Sequence, residues 1–298
     1  MTLEFRPEFL PRLRFAEPLA RHTSWHVGGP ADAFFMPRSA DELAAFLAAL
    51  PLDVPCHFMG LGSNLLVRDG GVRGVVIALH GGLDRLERVT ATRVGAEAGV
   101  PCARLARQCV KWSLGPAEFF AGIPGTIGGA LAMNAGAWGG ETWPCVVEVD
   151  VVDRRGARRT RAAREYRYAY RHLEPAAADE WFIAARFEFE RRPEASADTI
   201  RSLLVRRRET QPIGAWSCGS TFTNPVGQHA AQLIESAGLK GARLGGAVVS
   251  EKHANFIVNE GSATAEDIER LIAYVQRTVE QRHGVRLQTE VRIVGDRA

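Results

Sequence analysis

The chain has 298 residues, of which 46% are hydrophobic and 24% charged. This is the balance of a soluble globular protein of about two domains, and it excludes a disordered, collagen-like or coiled-coil chain. The net charge of +3 is too small to imply nucleic acid by itself, although all but three of the 37 basic residues (Lys111, Lys240 and Lys252) are arginine.

No stretch of about 20 residues is apolar enough to span a bilayer, so no membrane partner is expected. Glu4, Arg6, Glu8, Arg12 and Arg14 interrupt any apolar run near the N-terminus, so no signal peptide is expected. Cys56, Cys102, Cys109, Cys145 and Cys218 are odd in number and form no C-x-x-C pair. Reduced thiols and no metal site are expected, and a cytoplasmic protein is the simplest reading.

In chain order, Ser39 and Glu42 have capping-box spacing and open an Ala/Leu-rich helix that should end near Pro51. A run from Gly74 to Leu79 reads as a buried strand. Pro101 fits the first turn of a helix reaching about Trp112. Cys145 to Asp153 reads as a strand entering a turn at Arg155-Gly156, and Trp181 to Glu190 as another. A helix is predicted near Asp198–Arg208, and a short one ends near Gly238. Asn255 to Asn259 reads as a strand. Ile268, Leu271, Ile272, Val275 and Val279 recur at helical spacing, with Thr264 as cap and Gly284 just past the end. In the last predicted strand Leu287, Thr289, Val291 and Ile293 share one face, and Gln288, Glu290 and Arg292 the other. Strands and helices mix without strict βαβ alternation, so the expected class is α+β.

Two glycine segments stand out. Gly60-Leu61-Gly62-Ser63-Asn64 comes after a short apolar run, and its amides suit either an anion or a tight turn. It is not the dinucleotide fingerprint. The second segment runs from Gly122 through Gly125, Thr126, Gly128 and Gly129 to Asn134, Ala135 and Gly136. Its glycines serve either close packing or a diphosphate or flat ring laid against the backbone. Together the two segments fit a large cofactor such as a dinucleotide. Ser220 lies in a glycine-bent loop without a nucleophile elbow, and by itself reads as a turn serine. Glu290 beside Arg292 reads by itself as a solvated ion pair. Arginines from Arg154 to Arg171 interleave with Tyr166, Tyr168 and Tyr170, which suits either nucleotide phosphates or a solvated hairpin face. Lys252 falls at a loop-to-strand junction where a phosphate could sit. His26, His172 and His253 lack metal-ligand spacing.

These pieces occur in a telling order. Thr23 to Asp32, Gly60 to Val67, Gly122 to Ala137, Tyr170-Arg171, Arg207 to Pro212, Gly219-Ser220 with Asn224-Pro225, Lys252 to Asn259, and Glu290 to Arg292 succeed one another along the chain. The set closely resembles the UDP-N-acetylenolpyruvoylglucosamine reductase (UDP-N-acetylmuramate dehydrogenase) family, in its shorter class without the substrate-capping insertion. Leu61, Leu173 and Thr223 depart from the family's commoner residues (glycine, serine and lysine), and the last two touch substrate-side positions.

The resemblance implies two FAD-binding α+β subdomains of the vanillyl-alcohol-oxidase/p-cresol-methylhydroxylase type, over residues 1–80 and 81–195. A C-terminal substrate domain would occupy residues 196–298. It implies bound FAD, NADPH as hydride donor, and a nucleotide-sugar substrate. Gly60, Gly62, Ser63, Asn64, Gly122, Gly125, Thr126, Gly128, Gly129, Asn134, Ala135 and Gly136 would line the cofactor. Hydride would pass from flavin N5 to C3 of the enolpyruvyl group, and Ser220 would protonate C2. Arg171 and Glu290 would stabilise the charge developing on the carboxylate, with Glu290 protonated as it acts, which requires a raised pKa in a dry site. Tyr170, Asn224 and Lys252 would contact the nucleotide sugar. The alternatives are another FAD oxidoreductase on the same scaffold, or an arginine-rich nucleotide- or RNA-binding module without turnover.

Overall fold

In the computed structural model, which describes residues 5–298, Ser39 caps the first helix as its spacing predicts. Its Oγ accepts from the Glu42 amide at 3.2 Å. Helix α1 (Ala40–Ala49) buries Leu43, Phe46 and Leu47. They pack with Phe35, Val75 and Ile77 from a four-stranded sheet, ordered Leu13–Pro18, Pro30–Phe35, Val72–Ala78, Cys56–Met59. Phe35 and Phe46 stack with ring centroids 3.9 Å apart.

A second sheet is antiparallel throughout, ordered Arg158–Ala162, Val146–Asp153, Glu180–Glu188, Arg93–Glu97, Leu86–Arg88. Helices α2 (Cys102–Lys111) and α3 (Ile127–Ala132) contribute Leu105 and Leu131 to its core, with Phe120, Val149 and Phe187. Pro101 is the extended N-cap of α2 rather than its first turn. The two sheets divide between residues 78 and 86. Helix α4 (Ala197–Thr210) comes next.

The chain groups into two compact units. The first holds the described residues up to Phe15, Ala33–Leu61 and Gly74–Val205. The second holds Ala16–Asp32, Gly62–Arg73 and Arg206–Ala298. This differs from the contiguous segments read from the sequence: the C-terminal part draws two stretches from the N-terminal third. The physical reason lies in its core, where Trp25, Val27 and Leu66 are buried with Phe222, Ile234, Leu271 and Val275. Trp25 Nε1 also donates to Ile257 O at 2.8 Å.

Within the second unit lie α5 (Ala230–Ser236), α6 (Ala265–His283) and a three-stranded sheet, Arg243–Leu244, Ala247–Val249, Ile257–Asn259. Helix α6 is closed at both ends by local chemistry. Thr264 Oγ1 accepts from the Asp267 amide at 3.0 Å and Asp267 Oδ2 from the Thr264 amide at 3.1 Å. Gly284 ends the helix at φ +68°.

The last predicted strand is two pieces. Thr223 N donates to Gln288 O at 3.0 Å and Glu290 N to Thr221 O at 2.9 Å, whereas Arg292–Val294 pairs in parallel with Leu65–Val67. The run changes partner at Val291, and only Leu287 and Val291 of its expected inner face are buried. Glu290 sits just before the change.

Candidate active site

In the first unit Gly60, from the first glycine segment, meets Thr126 of the second. A Cβ on Gly60 would stand 2.2 Å from Thr126 Oγ1, so only glycine permits this approach. Within the second segment the glycines differ in purpose. A Cβ on Gly122 would meet the Trp138 ring at 2.6 Å, and one on Gly136 the Gly140 carbonyl at 2.2 Å. Gly128 lies close against Ala98, to whose carbonyl its amide donates at 2.8 Å. Gly125 O accepts from the Cys102 amide at 2.9 Å. Gly129 and Gly139, by contrast, are exposed, with no atom within 4 Å of an added Cβ. Gly129, three residues after Thr126 and within α3, leaves its backbone open. Open main chain there gives room for a cofactor that approaches the backbone closely, as FAD does.

Asn134 and Ala135 are buried. Asn134 Nδ2 donates to Glu141 Oε2 at 2.9 Å and to Ala169 O at 3.0 Å, and its Oδ1 accepts from Trp143 N at 3.1 Å. Ala135 O accepts from Thr142 Oγ1 at 2.7 Å. These contacts fold the segment.

Tyr170 and Arg171 form the two-residue turn between Arg167–Ala169 and His172–Glu174. Arg171 has φ +54°, a conformation unfavourable for a residue with a Cβ. Its Nη2 donates to Gly136 O at 2.8 Å, and its guanidinium lies 5.1 Å from the Tyr170 ring centre. The expected cation is thus tied to the second glycine segment. Leu173 packs against the core of the same unit.

The second unit positions Ser220 and Glu290. Gly219, at φ +82°, bends the loop before Ser220. Asn255 holds the two residues after the serine: its carbonyl accepts from Thr221 N at 2.8 Å, its Oδ1 from Phe222 N at 3.0 Å, and its Nδ2 donates to Phe222 O at 2.8 Å. The Glu290–Thr221 backbone bond then brings the carboxylate's strand to the serine loop. Sequence reading did not single out Asn255; its signal was a polar residue between apolar Ala254 and Phe256. Gly62, at φ +59°, would clash with His22 O if it carried a Cβ. Ser63 is half-buried beside it. Asn64 Nδ2 donates to Glu290 O at 3.1 Å. Asn224 Oδ1 accepts from Ala230 N at 3.0 Å, at the start of α5. Lys252 Nζ donates to the Arg208 carbonyl.

The arginine run is a solvated, ion-paired face. Arg161 bridges Glu180 at 2.7 Å and Glu165 at 2.9 Å, and Arg159 meets Asp153 at 3.2 Å. Arg154 donates to main-chain carbonyls beyond the end of α1, among them Val54 O at 3.1 Å. Such partners occupy the guanidinium groups that a phosphate backbone would need. The five cysteines are free. Burial pushes the Cys109 thiol up to about 12, which removes it as a nucleophile near neutral pH.

Similarity to known proteins defines the class as a flavin-binding oxidoreductase. A family model described as an FAD binding domain matches residues 31–160, and one described as the UDP-N-acetylenolpyruvoylglucosamine reductase C-terminal domain matches residues 211–294. UDP-N-acetylenolpyruvoylglucosamine reductase of Alkalilimnicola ehrlichii is 56% identical over 285 residues, covering 95% of each chain. That of Methylococcus capsulatus is 53% identical, covering 94% of this chain and 92% of its own. The crystal structure of the Thermus caldophilus reductase superposes with a TM-score of 0.80 at 32% identity, covering 94% of this chain and 97% of that one. The chain belongs to the UDP-N-acetylenolpyruvoylglucosamine reductase family.

Proposed function

We propose that this protein reduces UDP-N-acetylglucosamine enolpyruvate to UDP-N-acetylmuramate, a peptidoglycan precursor, with NADPH as donor and FAD as bound cofactor. When bound, FAD supplies the hydride chemistry linking NADPH to C3 of the enolpyruvyl group. The chain's own residues do the rest. Gly60, Gly62, Ser63, Gly125, Thr126, Gly128 and Gly129 hold the cofactor through close backbone approach. Arg171 and the Glu290 carboxyl meet the negative charge that develops on the substrate carboxylate, where a fixed cation and a hydrogen-bonding acid are worth most. The Ser220 hydroxyl delivers the proton to C2. Tyr170, Asn224 and Lys252 contact the nucleotide sugar. The observation that carries the reading is the 56% identity over 285 residues with a UDP-N-acetylenolpyruvoylglucosamine reductase; the 2.9 Å bond from Glu290 N to Thr221 O supports the pairing of the carboxylate's segment with the proton donor's loop.

No helix among the described residues is long and apolar enough to cross a membrane. With a nucleotide-sugar substrate and NADPH, the cytoplasm is the proposed place of action.

An anaerobic titration tests the whole reading. A flavin spectrum should bleach with NADPH and return with the enolpyruvyl substrate. Bleaching without return would keep a flavin oxidoreductase and discard the substrate. A colourless protein that cannot be reconstituted with FAD would overturn the proposal.

A further inference from the structure

The parallel pairing of Leu65–Val67 with Arg292–Val294 begins with Leu65 opposite Arg292. One step earlier the Arg292 amide donates to Asn64 O at 3.1 Å. A regular parallel ladder would continue with the main-chain N–H of residue 64 donating to the carbonyl of residue 290. Here the donor to that carbonyl is the Asn64 side chain, with Nδ2 3.1 Å from Glu290 O. The side-chain amide supplies this rung close to where the main chain bends through Gly62 at φ +59°.

Glu290 therefore has main-chain anchors on both sides. Its N–H is held by Thr221 O at 2.9 Å and its carbonyl by Asn64. Holding both groups of one peptide residue fixes the direction in which its side chain leaves the backbone. The next position is where the chain changes partner, so the pairing on either side does not by itself fix Glu290. Asn64 lies in the loop expected to line the cofactor, yet its side-chain amide is directed to this carbonyl.

We propose that Asn64 is a positioning residue for Glu290, acting through the Glu290 carbonyl to aim the carboxyl group, and that its side chain serves this purpose rather than cofactor binding. The inference rests on the role given to Glu290 above. Asparagine suits it: alanine has no donor, and aspartate has the shape but offers an acceptor to an acceptor. A misplacement of about 1 Å in a reacting group costs on the order of a hundredfold in rate.

The test uses FAD-loaded Asn64→Ala and Asn64→Asp, with the two half-reactions tracked separately by stopped flow and the FAD dissociation constant measured by flavin fluorescence. Reoxidation of reduced flavin by the enolpyruvyl substrate should slow by about tenfold or more. Reduction by NADPH and the FAD dissociation constant should stay within about twofold. In a Glu290→Ala background, Asn64→Ala should add less than about twofold, because the two residues act as one unit. Asn64→Asp carries the test if Asn64→Ala does not fold. Weakened FAD binding, equal slowing of both half-reactions, unchanged reoxidation, or additive effects would each overturn the proposal while leaving Glu290's role intact. Wild-type reoxidation by Glu290→Ala alone would remove that role, and the Asn64 inference with it.

Discussion

Gly60 and Thr126 approach so closely that a single methyl group on Gly60 would lie 2.2 Å from Thr126 Oγ1. They stand 66 positions apart in the sequence, one in each glycine segment. Their contact lies within the first unit. Gly60→Ala should cost about 1–3 kcal/mol, the usual range for overpacking a filled site. Thermal unfolding of apoprotein and FAD retention on gel filtration should both fall. Thr126→Ala in the same chain should restore part of the loss, whereas an unaffected Gly60→Ala would show that the loop relaxes freely.

Ser220→Ala should leave NADPH able to bleach the flavin. Return of colour with the enolpyruvyl substrate should slow by about 10²–10⁴-fold, the range associated with a positioned proton donor. Single-turnover absorbance at the flavin maximum separates the two steps. Reoxidation at the wild-type rate would assign the proton to another group.

Asn255→Ala should destabilise the second unit by about 2 kcal/mol or more, because it leaves the Phe222 N–H and carbonyl without their partner. Urea unfolding measures this. A Ser220 loop freed in this way should also slow reoxidation more than flavin reduction, since the loop's aim is lost and the cofactor segments of the first unit are untouched.

Glu269 gives stability a defined acid limit. The hydrogen bond from Arg68, 2.8 Å away, holds its carboxyl below the usual carboxylate value of 4.5, against the opposing effect of partial burial and with help from Arg297 at 3.1 Å. The folded state therefore binds this proton more weakly than the unfolded state. The stabilisation is fully present above the unfolded value and is lost as pH falls through the lower folded one. Glu269→Gln should be less stable than wild type by about 1 kcal/mol at about pH 7, and the gap should narrow as pH falls below 4.5 and through the lower folded value. A gap that does not change with pH would show that the charge is not the source.

What the sequence disclosed was local or ordered. Thr264, Asp267 and Gly284 announce α6 because capping chemistry acts within a few residues. Ser39 announces α1 for the same reason. The glycine segments were visible as glycine, but composition cannot tell Gly128, which packs on Ala98, from Gly129, which leaves backbone open. Asn134, expected at the cofactor, also makes three side-chain bonds inside the chain, which no local pattern announces. The last strand read as one piece because alternation records which faces are apolar and says nothing about partners. The capture of residues 16–32 and 62–73 by the C-terminal unit was invisible for a similar reason. It depends on pairs such as Trp25 and Ile257, which no local pattern connects.

That pair has a consequence for how the protein is made. Trp25 and Ile257 are separated by 232 positions. At about 5–20 residues per second, a ribosome takes roughly 10–50 seconds to cover that distance. From the synthesis of Leu66 to that of Cys218, Trp25, Val27 and Leu66 are already made and the rest of their core is not. The first unit can begin to close during elongation, while the second waits for residues 218–291 to cover an indole and two aliphatic side chains. Translation speed between residues 66 and 291 therefore sets how long the nascent chain carries an unfinished core.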